Sequence, residues 1–292
     1  MRGPEPLEPS LNPIAPATAS MAGSVRPKAV IFDIYHTLLE VSPGPSAKAA
    51  QAGWESLCAE FLPNQPDQTL AEFDRNCRIT IAQDHALRKA KGTHWPEVDW
   101  TSVAVRAAPG LDDLEPAEQA AFLVSHARLQ RHTEPMPGAL SFIKSLRQRG
   151  IVTGIASNAQ PYTLAEMNSA GINPDAFDPA LCFWSFAHGF SKPDPAVFHW
   201  LTAQLSQRGI QPHEILMIGD RMDNDIAPAA AAGWQTWHFS QSWPSLDPTA
   251  AGPLHAVAGK PVPRSRTSIR EAAKISSAAP PAVGPTPKVA AQ

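Results

Sequence analysis

The chain has 292 residues, 31 of them proline and 43% hydrophobic, and a formal net charge of −3. It contains no run of about 18 apolar residues, which excludes a helical membrane span. Cys58, Cys77 and Cys182 are odd in number and lack C-x-x-C spacing, which excludes a disulfide framework and a cysteine zinc site; set among apolar residues, they are expected to be buried, inert thiols.

Residues 1–26 are rich in Pro, Ala and Ser with scattered single apolar residues, so they are expected to form a disordered N-terminal extension. They contain no signal-peptide-like apolar stretch, and a cytoplasmic protein is expected. Short apolar runs then recur at 28–33, 151–157, 181–185, 215–219 and 235–239, each ending in polar or turn residues. Continuous apolarity over such lengths suits strands buried on both faces of a parallel sheet. Between them lie helical stripes, Ala139, Phe142, Ile143 and Leu146 before Gly150, and Phe198, Leu201 and Leu205 after Pro195. The alternation predicts a doubly wound α/β core over 27–40 and 137–245.

Residues 41–136 interrupt that rhythm. They show no convincing strand but carry helical stripes such as Trp54, Leu57, Cys58 and Phe61, then Leu70, Phe73, Cys77 and Ile81. A structureless loop of that length is improbable, so an inserted α-helical subdomain is expected over the carboxyl ends of the strands, where ligands bind in open α/β sheets. His85, His94, His126 and His132 fall in this segment without ligand spacing and are expected as surface histidines. Residues 246–292 are Pro- and Ala-rich again, with six basic residues against Glu271 alone from 249 onward, and a solvated, disordered basic tail is expected.

Chemistry gathers at the predicted strand ends: Asp33, Ser157-Asn158, and Gly219-Asp220 followed by Asp223, Asn224 and Asp225, with Lys192 leading into Pro193-Asp194-Pro195 at a helix entry. Asp33 suits a carboxylate nucleophile, which splits a difficult displacement into two easier ones. Asp220 with Asp225 would hold Mg²⁺ beside it, since a hard cation takes oxygen ligands and shares its shell with substrate phosphate. Lys192 would supply positive charge and the Ser157 hydroxyl a hydrogen bond to the transferring group, while Thr37 orients the Asp33 loop.

These four segments, Asp33-Ile34-Tyr35-His36-Thr37, Ser157-Asn158, Lys192-Pro193-Asp194-Pro195 and Gly219-Asp220-Arg221 with Asp225, resemble in order and spacing the motifs of the haloacid dehalogenase superfamily. The resemblance implies a Rossmann-like core, a helical cap between the first two motifs, and a Mg²⁺-dependent phosphohydrolase acting on a small phosphorylated molecule. It also implies that the backbone carbonyl of Tyr35 joins Asp33, Asp220 and Asp225 around the metal, and that Asn158, Tyr35 and His36 line the substrate. Trp95-Pro96-Glu97-Val98-Asp99-Trp100 looks like a less diagnostic element of some members.

One position departs from the phosphatase pattern. Tyr35 stands where those members carry a second aspartate as general acid, and the Asp-x-Tyr pattern resembles the metal-independent 2-haloacid dehalogenases. Against that, Asp220 resembles a metal ligand that the dehalogenases lack, and Phe198 stands where they carry a tyrosine. Loss of a general acid costs roughly 10² to 10⁴ in rate and least where the leaving group needs no proton. The expectation is therefore a phosphatase for substrates with good leaving groups; a carbon–halogen hydrolase and a non-catalytic phospholigand-binding protein are the alternatives. Neither membrane nor nucleic acid is expected as a partner.

Overall fold

The structure, a computed structural model, describes residues 25–63, 68–240 and 243. The expected N-terminal extension, apart from Val25 and Arg26, and the expected tail at 246–292 lie outside the described residues. The elements run β1 (Ala29–Phe32), β2 (Leu39–Pro43), α1 (Ala47–Phe61), α2 (Leu70–Ala90), α3 (Trp100–Ala107), α4 (Pro116–Gln130) and β3 (Arg131–Pro135). There follow α5 (Ala139–Gln148), β4 (Val152–Ser157), α6 (Tyr162–Ser169), β5 (Cys182–Trp184), α7 (Ser185–His188), α8 (Pro195–Ser206), β6 (Ile215–Gly219), α9 (Ala227–Ala231) and β7 (Gln235–His238). Among the described residues no helix is long and apolar enough to cross a membrane.

Five strands form one parallel sheet in the order β5-β4-β1-β6-β7. β1 is wholly buried, and its alternate side chains serve opposite faces: Val30 and Phe32 pack with Phe142, Ile143, Leu146 and Met167 of α5 and α6, while Ala29 and Ile31 pack with Val197, Phe198, Leu201 and Leu205 of α8. Leu216 and Ile218 against Ile215 and Met217 divide in the same way on β6. Two covered faces explain why these strands read as unbroken apolar runs. Full burial of a Val, Ile or Phe side chain contributes roughly 1.5–3 kcal/mol, so the central strands anchor the sheet. Because the chain leaves β1 toward β4 but leaves β6 toward β7, the order reverses between β1 and β6, and their carboxyl ends flank the crevice where such sheets take ligands.

Helices α1–α4 carry a core of their own around Trp54, Phe73 and Phe122, with Val103, Leu111 and Leu123. A Thr69–Glu72 capping box opens α2, and Asp99 caps α3. The expectation of no strand between 41 and 136 is corrected at both ends: β2 and β3 form an antiparallel ribbon pairing Leu39 with Pro135 and Pro43 with Arg131. These strands are polar and largely half-exposed or exposed, so no apolar run betrays them. His126 is a second correction. It is buried beside Trp54, Phe73 and Trp100 with its Nε2 3.2 Å from Asp74, because four aromatic-lined helices leave room for a ring with one polar contact. Of the thiols, Cys77 is buried and Cys58 and Cys182 half-buried; all three are free, and burial pushes them up to about 12, 11 and 12 respectively.

Candidate active site

Asp33 directly follows β1, and its N–H still donates to Ile218 O on β6 at 2.9 Å, so its carboxylate stands at the crevice. The next residues form a tight turn in which the amides of Thr37, Leu38 and Leu39 all converge on the Ile34 carbonyl, anchored by the fully buried Ile34 and Leu38 side chains. His36, exposed at the turn, has φ +58°, a left-handed conformation uncommon outside glycine.

Lys192 comes to Asp33 from 159 positions along the chain. Asp194 caps α8 and Pro195 opens it, which fixes where that helix starts. Asn158 holds the residue before it reaches the site: its Oδ1 accepts from Lys192 N at 2.8 Å and its Nδ2 donates to Lys192 O at 2.9 Å. Lys192 is 3% exposed, and its Nζ donates to Asp33 Oδ1 at 2.8 Å and Asp225 Oδ1 at 2.5 Å. Asp225 lies on a π-helical turn over Met222–Ile226, and its Oδ2 accepts from Arg221 N at 3.0 Å. Its carboxylate rests against Gly219, where a Cβ would come 2.4 Å from an Asp225 oxygen; only glycine leaves that space. Asp220 is half-buried at the end of β6, and its carbonyl accepts from His238 Nε2 at 2.7 Å.

Ligand oxygens of Asp33, Asp220 and Asp225 lie within 4.8 Å of one another. Lys192 offsets one of three negative charges. The remainder shows in the titrations: burial pushes Asp33 up to about 6 against the pull of Lys192, with Asp225 and Asp220 adding to the rise, and burial and then Asp225 raise Asp220. Burial pulls the Lys192 ammonium down, but Asp33 and Asp225 outweigh it and hold it above the ordinary lysine range. An all-oxygen cluster with surplus negative charge fits a hard divalent cation, whose binding relieves the repulsion. Asp223, by contrast, is spent on an exposed ion pair with Arg221 at 2.6 Å.

Thr37 Oγ1 and Ser157 Oγ are buried and have no hydrogen-bond partner among the described residues. Buried hydroxyls rarely go unpartnered, and two of them, one in the turn after Asp33 and one at the end of the neighbouring strand β4, fit a site completed by a ligand. The Thr37 carbonyl is held from below by Trp243 Nε1 at 2.9 Å.

Two substrate-facing expectations change. Asn158 has both ends of its amide committed to the Lys192 backbone, so it sets the lysine in place. The Tyr35 hydroxyl is taken up by the insert root and α6. It donates to Glu166 Oε2 at 2.5 Å and lies 2.7 Å from both Arg131 Nη2 and Thr163 Oγ1. Arg131 forks onto Glu166 at 2.9 Å through both Nε and Nη2 and stacks 4.5 Å over the Tyr35 ring, with Tyr162 at 5.4 Å. Burial and the Glu166 carboxylate push the Tyr35 phenol well above its usual range, so it is a poorer acid than an ordinary tyrosine. Arg131 and Glu166 escape sequence reading because one sits in a polar ribbon strand and the other on a short helix without a clear apolar stripe.

A family model of haloacid dehalogenase-like hydrolases matches residues 27–233. Phosphoglycolate phosphatase of Rhodospirillum rubrum is 30% identical over 217 residues, 71% of this chain and 77% of that protein. Glyceraldehyde 3-phosphate phosphatase of Pyrococcus furiosus is 27% identical over 230 residues, 76% of this chain and 85% of that protein. A crystal structure of 2-haloacid dehalogenase from Pseudomonas syringae pv. Tomato DC3000 superposes with a TM-score of 0.49 at 21% identity, over 72% of this chain and 85% of that one. With the family match spanning β1 to β6, the insert and all four motif segments, the chain belongs to the haloacid dehalogenase-like hydrolases.

Proposed function

We propose that the chain is a cytoplasmic, Mg²⁺-dependent phosphatase for small phosphorylated metabolites with good leaving groups, using Asp33 as nucleophile. The observation that carries this is the surplus of negative charge beside Asp33: three carboxylates opposed by Lys192. Such a cluster suits a divalent cation shared with a phosphate, and the relatives named phosphatases support the same substrate class. Asp33, Asp220, Asp225 and the Tyr35 carbonyl would hold Mg²⁺, with Asp225 also bonded to Lys192 and Arg221 N. When bound, the ion would supply positive charge to the phosphoryl oxygens and screen the nucleophile from them.

Asp33 forms the new O–P bond while the bond to the leaving oxygen breaks, and water later hydrolyses the aspartyl phosphate. Lys192 holds Asp33 ionised and aimed, and presents its charge to the transferring group. The Ser157 and Thr37 hydroxyls are free to meet substrate oxygens. No proton reaches the leaving group from Tyr35, whose hydroxyl is bound up with Glu166, Arg131 and Thr163. Aryl and acyl phosphates, which need none, are the favoured class. The withdrawn phenol also leaves the carbon–halogen alternative less to stand on. On this view residues 41–136 are the cap that shapes the substrate pocket over a core of 27–40 and 137–245.

The test is a paired assay with Asp33→Asn as control: phosphate release from aryl, acyl and sugar phosphates with Mg²⁺, and halide release from a 2-halo acid. We expect Mg²⁺-dependent release, aryl and acyl phosphates ahead of sugar phosphates. Halide release that survives chelation would count against the proposal.

A further inference from the structure

Lys192 meets Asp33 because the segment carrying it is gripped from two sides. One grip is Asn158, described above. The other comes from the helical insert, through residues 95–98 between α2 and α3. Pro96 pairs with Phe190 in an antiparallel bridge. Ser191 N donates to Trp95 O at 3.0 Å and Glu97 N to Gly189 O at 3.1 Å, so residues 189–191, immediately before Lys192, are bonded to the insert.

Two side chains fasten this contact. Arg88, in the last turn of α2, donates through Nη1 to Glu97 O at 2.6 Å and through Nη2 to Gly189 O. Gly189 makes that approach possible, since its φ is +76° and a Cβ there would come 2.9 Å from Arg88 Nη2. Glu97, 9% exposed, accepts at Oε1 from Gln160 Nε2 at 2.9 Å and from Val98 N at 2.7 Å. Gln160 Nε2 also donates to Val98 O at 3.1 Å. Gln160 stands three residues past Ser157 on the loop that includes Asn158. Hydrogen bonds and short stretches of chain therefore link the insert, the Gln160 loop, Asn158, Lys192 and Ser191 in a closed circuit.

We propose that Arg88 and Glu97 are positioning residues for the reaction: together they clamp residues 189–191 and the Ser157–Gln160 loop so that Lys192 is presented to Asp33. The inference rests on the proposed role of Lys192 and Asp33. It adds that the insert completes the catalytic geometry through hydrogen bonds, in which Glu97 serves as an acceptor and not as a charge.

The experiment uses the full chain with Mg²⁺ and an aryl phosphate, together with hydrogen exchange of residues 188–192. Arg88→Ala and Glu97→Ala should each lower kcat about 10-fold with KM little changed, the size seen when groups supporting a site are removed, and should speed exchange in 188–192. Glu97→Gln, which keeps an acceptor oxygen for Gln160, should recover most of the loss, and millimolar guanidinium should partly restore Arg88→Ala. Wild-type kcat and exchange in either alanine variant would overturn the proposal, as would Glu97→Gln as impaired as Glu97→Ala. Turnover that Asp33→Asn abolishes tests the functional proposal separately; the exchange measurement decides the clamp in either case.

Discussion

Asp33 and Tyr35 stand two residues apart, yet they lead into buried charge clusters of opposite character. Around Tyr35 the account is balanced: one guanidinium, one carboxylate and two hydroxyls, each bonded to another at 2.5–2.9 Å. Around Asp33 a single ammonium faces three carboxylates. A balanced cluster has nothing left to bind and can only hold the β2–β3 ribbon, the Asp33 turn and α6 together. An unbalanced one is poised for a cation and, through it, an anionic substrate. The difference teaches that two residues two places apart can serve different ends: Asp33 opens onto a charged crevice, while Tyr35 is recruited into the structure at the root of the insert.

The contrast can be broken at several points. Asp33→Asn should remove turnover by at least about 10³-fold, as loss of a nucleophile does. It should not lower stability, because it relieves repulsion in the unbalanced cluster; denaturant unfolding beside the phosphate assay checks both. Asp220→Asn should cost about 10²-fold at a fixed Mg²⁺ concentration, comparable to losing a group that holds a metal in place. Mg²⁺ should raise Tm in the wild type and not in this variant, since an ion that binds only the folded state stabilises it.

In the balanced cluster the effects should be on stability. Glu166→Ala leaves Arg131 without its carboxylate partner and should cost about 3 kcal/mol in denaturant unfolding. Tyr35→Phe removes only the hydroxyl and should cost about 1 kcal/mol. The sharper readout of Tyr35→Phe is chemical: the ratio of aryl- to alkyl-phosphate turnover should stay as in the wild type. A selective loss on alkyl phosphates would show that the phenol donates a proton after all.

The unbalanced cluster is legible in the sequence because Asp33 and Asp220 directly follow apolar strands, Asp225 lies in the turn after Asp220 and Lys192 just precedes a helix start, and strand ends are where a parallel sheet gathers function. Asp33, Ser157 and Asp220 follow or end runs buried on both faces, and Asp194-Pro195 marks the helix start that fixes Lys192. The balanced cluster was not legible. Arg131 lies in a ribbon strand of alternating partial exposure, Glu166 on a helix with little apolar asymmetry, and their partner Tyr35 is 131 residues from Glu166. Long-range polar contacts leave no periodic trace in a sequence. The β2–β3 ribbon leaves no trace for the same reason, and a motif shows that Asn158 is present but not that its amide bonds the Lys192 backbone.

The measurement that bears most directly on the central claim is phosphate release from an aryl phosphate by the wild-type chain, with Mg²⁺ and again after chelation. Release that chelation stops and added Mg²⁺ restores is what a surplus of carboxylates beside Asp33 predicts. Equal rates with and without the ion, or halide release from a 2-halo acid that chelation leaves untouched, would contradict it.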